Sequence, residues 1–106
     1  MKEITAPTIE YKIFIAGDID VAKRICREYC YRIGLCVTVS KTTFIYTGGE
    51  EAGICVGLIN YPRFPDAAEG IAEKTMGLAN LLCENLAQHS FSIVGPKETI
   101  YKTRRE

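Results

Sequence analysis

Apolar and polar residues alternate from Ile9 to Ala16, with Ile9, Tyr11, Ile13 and Ile15 on one side and Thr8, Glu10, Lys12 and Phe14 on the other. A period of two predicts a half-buried antiparallel strand. From Asp20 to Ile33 the period lengthens, and Val21, Ala22, Ile25, Cys26, Tyr29, Cys30 and Ile33 form one broad helical stripe. Asp18 is placed to cap that helix, Asp20 adds negative charge to its first turn, and Gly34 suits its C-terminal end. Alternation returns from Leu35, blurs between Ser40 and Thr43 where a bulge is expected, and resumes through Tyr46. Gly48-Gly49 predicts a two-residue hairpin turn. Beyond it Ile54, Val56 and Leu58 alternate with Cys55, Gly57, Ile59 and Tyr61.

The segment Asn60 to Pro65 holds two prolines and breaks the pattern. A second helix is predicted from Asp66 to Gln88, with an unusually wide apolar side. Gly70 and Gly77 lower its helix propensity by roughly 1 kcal/mol each, which implies close packing against another surface. Phe91, Ile93 and Ile100 complete a sheet. Gly95-Pro96 interrupts it, leaving Thr99 to Thr103 as an extension or extra edge strand. The order β-α-β-β-α-β predicts an α+β, ferredoxin-like fold, an antiparallel sheet with two helices packed on one face. At 106 residues, 1–106 form a single domain. Because this fold hosts unrelated activities, function has to be argued from a site.

Thirteen basic residues balance thirteen acidic ones, so no global field draws the chain to duplex nucleic acid. Basic residues gather at Lys102, Arg104 and Arg105, acidic ones at Asp66, Glu69 and Glu73. The five cysteines are odd in number with no secretory signal ahead of them, and a reduced, cytoplasmic setting is expected. No apolar run approaches the roughly 20 residues of a membrane span.

Four places carry candidate chemistry. If Ile13, Val37, Val56 and Ile93 face the helices, then Phe14, Cys36, Thr38, Cys55, Gly57, Ile59, Tyr61, Ser92 and Val94 face away. That face is apolar for solvated strands, so another copy of the chain is expected to cover it through Phe14, Cys55 and Ile59. Phe14 and Tyr61 on central strands superficially suit an RNA platform, but Gly53 to Tyr61 lacks the basic and aromatic pattern of an RNP1 motif. In the turn, Thr47, Gly48 and Gly49 offer backbone N–H groups to a ligand, while Glu50 and Glu51, as neighbours on a strand, point to opposite faces. In the loop, Asn60, Tyr61, Arg63 and Phe64 precede a helix N-terminus, where Arg63 can clamp an anion and an aromatic can stack on a base. Cys26 and Cys30 lie one turn apart without further metal-ligand spacing and read as buried small residues. His89, the only histidine, suits a helix C-terminus. No nucleophile elbow, P-loop or dinucleotide fingerprint is present.

In size, free cysteines and compact element order, the chain resembles small accessory proteins of bacteriophages. The resemblance implies a counter-defence role, either by docking a host enzyme or by sequestering a nucleotide signal without cleaving it. The expectation is a non-enzymatic homo-oligomer that captures a small anionic, nucleotide-like ligand with Asn60, Tyr61, Arg63, Phe64, Thr47, Gly48, Gly49, Lys102 and Arg104. It calls for no cofactor and no metal. The alternatives are a protein–protein inhibitor or adaptor, a small ferredoxin-like isomerase or monooxygenase using Glu50 or His89, and a single-stranded RNA binder.

Overall fold

Seven elements follow in the chain: β1 (Glu10–Ala16), α1 (Ile19–Ile33), β2 (Thr38–Tyr46), β3 (Gly49–Ile59), α2 (Ala68–Asn85), β4 (Ser90–Val94) and β5 (Thr99–Thr103). They come from a computed structural model that describes Met1 to Arg105. The sheet order is β2-β3-β1-β4-β5, antiparallel throughout. The first four strands give the ferredoxin-like arrangement, and β5 extends it as an edge strand paired with β4.

Local chemistry sets the boundaries. The Asp18 carboxylate accepts from the backbone N–H of Asp20 at 2.7 Å and of Val21 at 3.1 Å, capping α1. Gly34 ends the helix in the left-handed region at φ 77°, its N–H donating to Cys30, a conformation that side chains with a Cβ resist. The inward residues Ile13, Ile15, Ile54, Val56, Leu58, Phe91 and Ile93 are buried against Ala22, Ile25, Cys26, Leu78, Ala79 and Leu82 of the helices. α2 comes so close to α1 that the Tyr29 hydroxyl lies over Gly77 and donates to the Lys74 carbonyl at 3.0 Å. The α2 glycine thus makes the close approach expected of it.

Several expectations are corrected. No bulge interrupts Ser40 to Thr43, since β2 pairs with β3 in unbroken register from Thr38↔Gly57 to Tyr46↔Gly49. That register makes Thr47-Gly48 the two turn residues rather than Gly48-Gly49, and Gly48 alone takes positive φ, at 89°. The ladder begins at Thr38, so Leu35 and Val37 pack against the core without strand partners. Cys36 therefore turns into a groove with Cys26 and Cys30 beside α1 instead of joining the outer face. α2 is shorter than expected at both ends, starting after Ala67 and stopping at Asn85. No helix among the described residues is long and apolar enough to cross a membrane.

Candidate functional site

The helices cover one side of the sheet and leave the other open. On the open side the register aligns Ser40, Cys55, Phe14, Ser92 and Tyr101 in one row, one residue from each strand. Toward the β2–β3 hairpin the next pairs add Thr42, Gly53, Ala16, Ser90 and Thr103, and then Phe44 opposite Glu51. Phe44 lies flat over Gly53, where an added Cβ would stand 2.0 Å from its ring. It meets Phe14 edge to face, ring centroids 6.4 Å apart at 66°.

Here the sheet face sinks into a groove of about 250 Å³, walled by Phe14, Phe44 and Tyr101 and reached by Glu51, His89, Ser92 and Arg105. Ser90 and Thr103 hydroxyls beside the Tyr101 phenol, aided by the charge of Arg105, hold it below the ordinary tyrosine value. A carboxylate, an imidazole, a phenol and a guanidinium thus share one aromatic-walled depression, a combination suited to a polar reaction on a planar ligand. No group of three or more His, Cys, Asp or Glu among the described residues can hold a metal ion.

The residues singled out from the sequence are scattered. Asn60 is buried and structural. Its amide donates to the Pro7 carbonyl at 2.9 Å and accepts from the Asp66 N–H at 3.0 Å, tying the N-terminal segment to the approach to α2. Tyr61 and Phe64 pack on each other with centroids 5.5 Å apart. The Cys36 thiol beside Tyr61, together with burial, pushes its phenol up to about 12. Arg63 is exposed nearby. This loop follows the last residue of β3, whereas Thr47, Gly48 and Gly49 stand at its first. Ten residues, 50–59, separate the two groups, so Gly49 and Asn60 stand roughly 36 Å apart at the rise of an extended strand. Lys102 lies on the helix side of the sheet, donating to Asn80 at 2.9 Å. Arg104 is exposed, its N–H bonded to the His89 carbonyl at 2.8 Å. One chain therefore does not bring these nine residues together. Phe14, Cys55 and Ile59 do share the open face. Glu51, not Glu50, reaches the groove, since Glu50 pairs with Ile45 on the opposite side.

Phe44, Ser92, Tyr101 and Arg105 were not singled out as ligand groups. The signal for the first three is register: Phe44 stands opposite Glu51, Ser92 opposite Phe14, and Tyr101 opposite Ser92 once the strand order is known, whereas Arg105 lies beyond the end of β5.

No protein-family model matches this sequence and no curated protein matches it. Two solved structures are similar in fold. A phage SAM lyase in its apo state has a TM-score of 0.76 and 18% identity, covering 100% of this chain and 98% of that one. A phage SAM lyase in complex with S-methyl-5'-thioadenosine has a TM-score of 0.70 and 15% identity, covering 97% of this chain and 95% of that one. Both neighbours are phage proteins, in agreement with the resemblance to phage accessory proteins. Both are enzymes, which overturns the expectation of a non-enzymatic capture protein.

Proposed function

We propose that this chain is a lyase that splits S-adenosylmethionine and releases S-methyl-5'-thioadenosine, with the open-face groove as its site. The observation that carries this reading is a carboxylate set among aromatic rings, Glu51 with Phe14, Phe44 and Tyr101, on a fold shared end to end with such a lyase. Phe and Tyr rings offer their faces to a sulfonium and to an adenine. Glu51 supplies negative charge to hold a cationic substrate in place. When the bond from sulfur to the aminobutyryl chain breaks, its electron pair stays on sulfur, which becomes neutral. An oxygen of the substrate's own carboxylate attacks the γ-carbon as that bond breaks and closes homoserine lactone, so the step consumes neither water nor an oxidant.

The groove, at about 250 Å³, is below the roughly 300–1,000 Å³ of enclosed small-molecule sites. A second copy of the chain packed on Phe14, Cys55 and Ile59 supplies the missing wall and keeps water out. The unpaired cysteines fit work in a reducing cytoplasm. Removing a methyl donor there is a counter-defence route open to a phage protein.

The test is incubation of the purified protein with S-adenosylmethionine and detection of S-methyl-5'-thioadenosine by mass spectrometry. Glu51→Gln is expected to lower turnover by roughly 100-fold with melting temperature unchanged, the scale of losing one aimed electrostatic group. Absence of the thioether product from the unaltered protein refutes the proposal.

A further inference from the structure

A larger cavity than the open-face groove lies on the other side of the sheet. It is a groove of about 550 Å³ between α2 and the β4–β5 turn. Its origin is architectural: five strands are roofed by only two helices, so the inward face of the edge strand β5, with Ile100 half-buried and Lys102 exposed, lies partly uncovered. Tyr11, Ile93 and Ile100 form the floor, and Ala68, Ala72 and Met76, one turn apart along α2, form a wall. The other wall is the turn from Gly95 to Glu98, fixed by a Gly95 N–H to Glu98 carbonyl bond of 2.9 Å.

Both its size and its ends favour a small molecule over a protein helix. Met76 and Asn80 share one face of α2, as Ile100 and Lys102 share one face of β5. The 2.9 Å bond from Lys102 Nζ to Asn80 Oδ1 therefore ties helix to strand one step beyond the groove and stops it there. Thr8 and Ile9 stand among the lining residues from the chain entering β1. A docked helix needs an open-ended trough, whereas about 550 Å³ is within the usual range of a ligand pocket.

The rim selects charge. Glu69 and Glu98 line the groove against the single cation Lys97, and Glu73 follows Glu69 by one turn of α2. None of these carboxylates is in an ion pair; the two salt bridges among the described residues are Arg24–Glu28 and Lys74–Asp66. We infer that this groove is a second ligand site, separate from the open sheet face, and that it takes a small apolar molecule carrying one positive charge. The apolar body lies against Tyr11, Met76, Ile93 and Ile100, and the cation is held by Glu69 and Glu98.

The experiment uses three probes of one shape, 4-phenylbutylamine, 4-phenylbutanol and 4-phenylbutyrate, titrated into the full chain. Methyl NMR of Ala68, Ala72, Met76, Ile93 and Ile100 reads their binding. The amine is expected to bind tighter than the alcohol and the butyrate weakest. Replacing both carboxylates (Glu69→Gln with Glu98→Gln) should weaken the amine roughly threefold or more while leaving the alcohol unchanged, as expected for two partly exposed charge contacts. Ala72→Phe, which fills the groove, should abolish all three. Three outcomes overturn the inference: no methyl shift with any probe, equal binding of amine and butyrate, or methyl shifts that follow protein concentration without a probe, which mark a second copy as the occupant.

Discussion

Single residues carry two separable effects. Cys26 is buried against the sheet, and burial, with the neighbouring Cys30 adding to it, pushes its thiol from the ordinary 9.0 up to about 11. The native state therefore keeps its proton where the unfolded chain gives it up. This contribution to stability is whole below pH 9 and drains away as pH rises toward about 11, on the order of 2 kcal/mol by the upper end. Denaturant titrations at pH 8 and pH 10.5 measure it, and Cys26→Ser or Cys26→Ala should flatten the difference. Gly53 acts on the site instead. An added Cβ there would stand 2.0 Å from the Phe44 ring, so Gly53→Ala must swing the ring off the strand. A loss of about 1–2 kcal/mol is expected in thermal melts, along with a fall in the proposed S-adenosylmethionine cleavage as the groove loses a wall.

Between elements, the contact of α1 with α2 turns on one hydroxyl. A Cβ at Gly77 would be 2.7 Å from the Tyr29 hydroxyl oxygen but 3.7 Å from its ring carbon. Gly77→Ala should therefore destabilise the native sequence. In a Tyr29→Phe background, where that oxygen is gone, the same change should stabilise by about 1 kcal/mol through helix propensity. A double-mutant cycle followed by urea unfolding checks the reversal of sign, and the same sign in both backgrounds would refute it. The elements themselves were legible in the sequence, because the caps Asp18 and Gly34 and the alternation at Ile13, Ile15, Ile54 and Val56 are local signals. The start of β2 was not. Leu35 and Val37 alternate like strand residues and are apolar because they pack against the core, while the ladder begins only at Thr38. The candidate site was less legible still. Phe14 and Phe44 are thirty residues apart and meet only because β3 lies between their strands. No periodicity within one segment reports that adjacency.

For the molecule as a whole, the decisive asymmetry is one covered and one open sheet face. Val94 and Tyr101, at 38% and 64% exposure, and Ile59, at 42%, remain large apolar groups in contact with solvent. If a second copy covers them, native mass spectrometry should show an oligomer, and Ile59→Asp should shift it to monomer while each chain stays folded by circular dichroism. Turnover should fall in step if the partner completes the groove. A fully active monomer would separate the groove from any assembly.

Strand alternation has a consequence for how such a protein can change over time. Each strand gives its inward positions to the core and its outward ones to the groove, and neighbours along the chain answer to different demands. Phe14 can be exchanged without disturbing Ile13 or Ile15, and Tyr101 without disturbing Ile100. A new substrate preference can therefore be tried one outward residue at a time, on a scaffold whose packing is left intact at every step.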